Sequence, residues 1–199
     1  MYYYLIYYIY NLIQWPALRI AWRNLGSSGS LWNCISLWNK SKDLLEKPVH
    51  AQLYDYLNRC SILTNPQSGF RKRYSIESAV TLYTDHLYRA IGKRNATISG
   101  YLDLGKGFDT VNHLILLGKL RGYGVIGASL KWFESYLSNR YQQVSIDGTI
   151  SASGPIFIGV PQGSILGPLL FLTYINDLPN STRNCHVHMH ADDTTLCWL

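Results

Sequence analysis

Two carboxylates stand side by side at Asp192-Asp193, between the strand-like runs Cys185 to Met189 and Thr194 to Leu199. Asp is a good turn residue, so one reading of the pair is a solvated hairpin tip. The other is a divalent-metal platform, because hard cations such as Mg²⁺ are held by one or two carboxylates together with substrate phosphates. A third acid, Asp103, lies near the end of the run Ala96 to Leu104. There the small and apolar Ala96, Ile98, Gly100, Leu102 and Leu104 alternate with Thr97, Ser99, Tyr101 and Asp103. Period two puts Asp103 on the face opposite the apolar one, at the strand's end. If both strands share one sheet, the three acids can meet. They would then suit two metal ions about 3.5–4 Å apart, the arrangement for in-line phosphoryl or nucleotidyl transfer. Carboxylates crowd in this way only when cations offset their repulsion. His186, His188 and His190 share one strand face at a spacing that can ligate zinc. Polar residues on a half-exposed strand are the plainer account of them.

The elements that must position these acids can be read in order. Residues 1–13 are apolar and Tyr-rich, too short for an ordinary membrane span of about 20 residues. They also lack the basic start and cleavage site of a secretory signal. Residues 14–30 run through Gly26-Ser27-Ser28-Gly29-Ser30, which reads as a linker, so the domain is expected to begin near Leu31. From Lys42 to Leu57 the positions Leu45, Val49, Leu53, Tyr56 and Leu57 recur at helical spacing, with Pro48 expected to kink the helix or delay its start. Thr64 to Gly69 is a loop by composition, leading to Phe70 and the basic run Arg71-Lys72-Arg73. Ser75 suits an N-cap, and Ile76, Ala79, Val80, Tyr83, Leu87 and Ile91 form a stripe expected to be core. Helices are expected around Leu114 to Leu120 and Leu130 to Leu137. A type I′ hairpin is expected about Asp147-Gly148, and a buried helix from Ile165 to Leu178 after the loop Gly159 to Ser164. This order is α+β, with no βαβ alternation.

Composition narrows the classes without choosing one. The 199 residues are 47% apolar and 15% charged, a globular balance that can bury a sizeable core. The net charge of +6, from 18 Lys plus Arg against 12 Asp plus Glu, is compatible with a polyanionic partner. The four cysteines show no C-x-x-C spacing, so neither a zinc framework nor a disulfide scaffold is suggested and a reducing compartment is the default. The expected location is intracellular, nuclear or cytoplasmic, and not secreted; no membrane partner is expected.

The run Leu102-Asp103-Leu104-Gly105-Lys106-Gly107-Phe108-Asp109-Thr110-Val111-Asn112-His113 resembles the first catalytic motif of reverse transcriptases from non-LTR retrotransposons. Gly159-Val160-Pro161-Gln162-Gly163-Ser164-Ile165-Leu166-Gly167-Pro168-Leu169-Leu170-Phe171 resembles the family's next palm motif, continued by Ile175-Asn176-Asp177-Leu178-Pro179. Ala191-Asp192-Asp193 is similar to the catalytic turn, and Gln67-Ser68-Gly69-Phe70-Arg71-Lys72 to the fingers motif. The likeness runs from about Ile35 to Leu199. It implies polymerase fingers over residues 31–95 and a palm over 96–199, the palm an antiparallel sheet backed by helices. Residues 1–30 would form an extension, and the thumb would be missing.

The resemblance also implies roles. Asp103, Asp192 and Asp193 would be the catalytic acids and ligands of two Mg²⁺ ions, with Mn²⁺ as a substitute. Phe108 would gate against a ribose 2′-hydroxyl by steric exclusion. Leu104, Gln162 and Gly163 would border the nucleotide, and Arg71 and Lys72 would contact phosphates. Asp109 would orient the loop more than bind metal, and Asp177 would be a helix-end residue. The implied reaction is attack of a DNA primer 3′-hydroxyl on a deoxynucleoside triphosphate, directed by an RNA template. The rivals are a catalytically dead nucleic-acid-binding remnant and a metal-dependent nuclease using the same acids.

The sequence departs from the family pattern at several points. His190 replaces the usual aromatic before Ala-Asp-Asp, bringing an imidazole that can carry charge near the metals. Gly105 and Gly107 stand where Ser and Ala are common, which loosens the loop behind Asp103 by up to about 1 kcal/mol per position. Asn33-Cys34 replaces the usual Arg-Pro, Arg73 a common Gly, and Ile76 a common Thr. The sequence ends soon after Asp193, so a fragment of a decayed or partly predicted element, inactive on its own, is expected.

Overall fold

The computed structural model describes residues 31–147 and 149–198, with side chains from residue 45 onward. The expectations about residues 1–30 fall outside the described residues. The first helix, α1 (Leu31–Arg59), runs through Pro48 without a break. The delayed start expected of that proline does not occur. A proline inside a helix costs about 3 kcal/mol. Burial of Val49, Leu53 and Leu57 on the face that follows it offsets this, at about 1.5–3 kcal/mol for each fully buried side chain.

Helix α2 (Ile76–Gly92) starts where Ser75 implies, with a capping box in which Ser75 and Ser78 satisfy each other's backbone N–H groups. Its apolar stripe, however, is not core. Ile76 is 64% exposed and Ile91 66%, and Ala90 alone in this helix is fully buried. Helical spacing states which residues share a face, and it leaves open what covers that face. The helix instead lays Tyr83 and His86 against strand residues described below.

Strand β1 (Ile98–Leu102) is shorter than the expected Ala96 to Leu104 and leads straight into Asp103. Its expected apolar face is not an inner one, and neither face is fully buried. Ile98 is 70% exposed, whereas Ser99 and Tyr101, on the other face, bond the Tyr83 hydroxyl at 2.9 and 2.8 Å. Helices α3 (His113–Gly122) and α4 (Ala128–Leu137) follow. Asn112 caps α3 by accepting from the backbone N–H groups of Leu114 and Ile115.

The hairpin about Asp147-Gly148 is present in two tiers. Strand β3 (Ser145–Ile146) pairs with β4 (Thr149–Ile150), and β2 (Arg140–Gln142) pairs with β5 (Gly154–Ile156). Asp147 has φ +49°, as a type I′ turn requires. Helix α5 (Gly167–Ile175) buries Leu169, Leu170, Phe171, Leu172, Thr173 and Ile175. It is shorter than the run to Leu178, because a 3₁₀ turn takes over at Leu178–Ser181. Asp177 stands at the N-cap position of that turn, without a side-chain capping bond, and pairs with Lys119, which agrees with its reading as a helix-end residue.

Strands β6 (His186–His190) and β7 (Asp193–Trp198) form the last hairpin, and the main sheet has the antiparallel order β1-β7-β6. Its core face sets Met189 against a cluster of Val111, Leu116, Leu120, Leu166, Leu170 and Phe171. The result is a mixed helix-and-sheet fold with antiparallel sheets. Among the described residues, no helix is long and apolar enough to cross a membrane.

Candidate active site

The antiparallel register brings the three acids to one end of the sheet. The last pair of the β1–β7 ladder is Leu102 with Thr194, so Asp103 and Asp193 are the next opposed positions. On β7's other side Asp193 pairs with His190, leaving Ala191 and Asp192 as the two-residue turn. Asp103 and Asp193 are exposed and Asp192 half-buried. Among the described residues, none of these three carboxylates has a side-chain hydrogen bond or an ion pair. Free hard-oxygen donors on adjoining positions match what a Mg²⁺ ion selects. The acids are not drawn into a closed cluster: among the described residues no three His, Cys, Asp or Glu side chains are grouped closely enough to hold a metal ion.

The turn that carries Asp192 is held from outside the hairpin by the loop from Pro66 to Gly69. Met189 N donates to Pro66 O at 2.9 Å, and Ser68 N to Met189 O at 2.8 Å, a short parallel bridge along β6's free edge. Gln67 Nε2 donates to Ala191 O at 3.0 Å. Gln67 Oε1 accepts from Ala191 N at 2.9 Å and from Gly69 N at 2.8 Å. A Cβ on Gly69 would lie 2.1 Å from Ala191 N, so a side chain there is excluded. His190 is tied in as well, its Nδ1 3.1 Å from Ser68 Oγ. Since the single hydroxyl proton goes to Met189 O at 2.8 Å, His190 Nδ1 is the donor in that pair.

Behind Asp103 the chain turns through Leu104, which is half-buried and accepts from Gly107 N. A Cβ on Gly107 would lie 3.2 Å from the Phe171 ring and 3.4 Å from Asp192 Cβ, so this loop passes close beneath the acid turn. The Phe108 ring stacks on Phe171 with centroids 4.3 Å apart, and Phe70 meets it edge-on at 5.9 Å. Phe108 is thus half-buried and fixed in orientation. Asp109 Oδ1 accepts from Gln162 Nε2 at 2.7 Å, joining the loop after β1 to the loop before α5. The same two loops touch where Gly159, at φ +90°, would place a Cβ 2.8 Å from Asp109 O. Gly163 is exposed at φ +76°, with open space where a Cβ would be.

The basic run divides by role. Arg71 Nη1 donates to Thr64 O at 2.8 Å and Gln67 O at 3.1 Å, and its guanidinium covers the Tyr74 ring. It braces the loop that holds the acid turn. Lys72 is exposed, its ammonium 5.4 Å from the Tyr54 ring centre. The three strand histidines also part company. His190 bonds Ser68, while His186 and His188 meet His86 of α2, with ring centroids 4.2 and 5.7 Å apart. Burial, then the neighbouring imidazoles, hold His188 below its usual pKa; burial, His186 and Arg89 do the same for His86, against an opposing pull from Asp85.

Two contributors were not evident in the sequence. Gln67, 2% exposed, lay within a recognised motif but carried no role of its own. Glu46, also 2% exposed, accepts from Ile165 N at 2.8 Å, Leu166 N at 3.3 Å and the Tyr136 hydroxyl at 2.9 Å. It therefore serves the N-terminus of α5, whose own N-cap, Leu166, has no side-chain bond to offer. Burial pushes the Tyr136 hydroxyl well above the ordinary tyrosine range. An acid inside the apolar spacing of Leu45, Val49 and Leu53 was the available signal.

A family model described as reverse transcriptase (RNA-dependent DNA polymerase) matches residues 28–198. Over 177 residues the chain is 30% identical to a protein described as "Probable RNA-directed DNA polymerase from transposon BS" of Drosophila melanogaster, covering 82% of this chain and 19% of that protein. It is 30% identical over 143 residues to the "RNA-directed DNA polymerase from mobile element jockey" of the same species, covering 65% of this chain and 15% of the relative. A third relative is the "Retrovirus-related Pol polyprotein from type-1 retrotransposable element R2" of Popillia japonica, 32% identical over 92 residues that cover 46% of this chain and 15% of the polyprotein. The chain thus spans less than a fifth of the length of these relatives. With the family match extending over the acid turn, the strand-end acid and the loops between them, the chain belongs to the reverse transcriptase family, and the relatives it resembles come from transposable elements.

Proposed function

We propose that this chain carries the nucleotidyl-transfer centre of an RNA-directed DNA polymerase, built on Asp103, Asp192 and Asp193. The observation that carries this reading is the register that opposes Asp103 to Asp193 with Asp192 in the adjoining turn, all three carboxylates without a side-chain partner among the described residues. Two Mg²⁺ ions bound there, or Mn²⁺ in their place, would lower the pKa of an attacking hydroxyl and neutralise charge developing on the transferred phosphorus. The residues of the chain then divide the remaining work. Asp103 supplies its carboxylate from the strand end, and Asp192 and Asp193 supply theirs from the hairpin. Phe108, fixed between Phe171 and Phe70, presents a rigid ring that excludes a 2′-hydroxyl. Leu104 and Gly163 border the nucleotide, and Gln162, tied to Asp109, keeps the two loops in register beside it. Lys72, and Arg71 through whatever its bracing role leaves free, attract phosphates.

In the same reading residues 31–95 act as fingers, 96–199 as part of a palm and 1–30 as an extension outside the domain. The substrates are an RNA template, a DNA primer and deoxynucleoside triphosphates. The test is primer extension on an RNA template with Mg²⁺ or Mn²⁺, comparing the chain with Asp192→Asn and Asp103→Asn. Extension lost by more than about a hundredfold in both variants supports the reading. Binding of primer-template with no extension by the unaltered chain would make it a catalytically silent remnant. Cleavage of unprimed nucleic acid without nucleotides would make it a nuclease.

A further inference from the structure

We propose that Gln67 is a positioning residue for the acid turn, its carboxamide setting the backbone of Ala191 and through it the placement of Asp192 and Asp193. The inference rests on the reading of those acids as a metal centre. Ala191 sits at φ +56°, a left-handed conformation that two-residue hairpin turns normally assign to Gly or Asn. A residue with a Cβ keeps such a backbone only when its surroundings over-determine it. Here the hydrogen-bonding part of those surroundings is one side chain. Gln67 accepts from Ala191 N and donates to Ala191 O, at 2.9 and 3.0 Å, so both polar groups of the strained residue are held by the same amide.

That amide is itself fixed, because Oε1 also accepts from Gly69 N. The whole arrangement is dry: Gln67 is 2% exposed and Ala191 7%, so water does not replace a lost bond. Close approach of the two backbones depends on the absent side chain of Gly69. The residues on either side of Gln67, Pro66 and Ser68, are both bridged by backbone to Met189 of β6, which keeps the carboxamide from sliding along that strand. A side chain serving only to fill volume would need no polar end at this position.

The experiment uses the full 199-residue chain. Gln67→Met keeps length and removes all three bonds; Gln67→Glu keeps the two accepted bonds and loses the donated one. Each is compared with the unaltered chain by amide hydrogen exchange, followed by peptide mass, and by Mn²⁺ affinity, followed by electron paramagnetic resonance. In Gln67→Met, exchange in peptides covering residues 189–193 is expected to rise about tenfold and Mn²⁺ affinity to fall about tenfold, with α3 and α5 unchanged. Gln67→Glu should change both readouts in the same direction. Unchanged turn exchange with unchanged Mn²⁺ affinity overturns the proposal, and so does a uniform rise across all peptides, which marks a merely structural role. Should Gln67→Met fail to fold, Gln67→Glu decides by the same two readouts. If the unaltered chain binds Mn²⁺ but extends no primer, the polymerase reading fails while the exchange result still decides on Gln67.

Discussion

The two edges of the three-stranded sheet hold their acids in different ways. At the β6 edge the Pro66–Gly69 loop bonds both Met189 and Ala191, and Ala191 is buried against it while Asp192 stays half-buried and Asp193 exposed. At the β1 edge Asp103 follows a strand whose Ile98 and Leu102 are exposed, and no loop runs along it among the described residues. One half of the site is thus set by a dense network on the turn's own backbone, the other chiefly by backbone pairing with β7, with the Tyr83 hydroxyl bonded to the side chains of Ser99 and Tyr101. The lesson concerns precision. A carboxylate on a turn needs an external brace, because a two-residue turn has few bonds of its own. A carboxylate at a strand end inherits its place from the ladder.

The largest expected effect breaks the braced edge. Gly69→Ala forces a Cβ to within van der Waals overlap of Ala191 N, and should cost about 2–3 kcal/mol, as overpacking does. Thermal unfolding would show it as a fall in Tm of roughly 5–10 °C. A Tm within a degree of the unaltered chain would mean the loop is free to move away.

The face shared by β6 and α2 responds to pH. His86 and His188 are held below the usual histidine pKa chiefly by burial, so the unfolded chain binds protons more readily than the fold does. By linkage, stability is full above the unfolded value of about 6.5 and falls as pH drops through it toward the depressed folded values. Denaturant midpoints measured from pH 7.5 to pH 5 should therefore decline, and His188→Asn should flatten the decline. A profile of the same slope in that variant would sink the assignment.

Smaller effects sharpen the contrast at the β1 edge. Gly105→Ala, with nothing within 4 Å of its Cβ, should stabilise by about 0.4–1 kcal/mol through the unfolded chain. Ile98→Ser, at an exposed strand position, should change stability by no more than about 0.5 kcal/mol in chemical denaturation. A large loss there would show that the exposed face is covered in solution.

Much of the architecture was legible from residue types. Ser75 and Asn112 at helix starts and Asp147 at the hairpin turn each act through bonds within a few residues, so their meaning does not depend on the rest of the fold. The placement of Asp103 across from Asp193 was legible too, since period two and antiparallel pairing leave little choice once the strands share a sheet. Coverage was not legible. The α2 stripe and the alternation along β1 correctly state which residues share a face, yet Ile76, Ile91 and Ile98 are exposed while Ser99 and Tyr83 bond each other. Periodicity is a property of one segment, and burial depends on two.

What the sequence by itself determined is the family and the order of elements, and it singled out the three acids proposed as the site, because these rest on local pattern and motif spacing. What only the tertiary structure decided is how the acids are held. Gln67 reaches Ala191 and Glu46 reaches Ile165 across more than a hundred residues of chain, 124 and 119 respectively. A polar residue within an apolar spacing, as at Glu46, hints at burial, but no local signal names the distant partners that a buried Gln or Glu will find. Those partners are chosen when packing removes the solvent and leaves the carboxamide and the carboxylate only backbone, or a neighbouring hydroxyl, to bond.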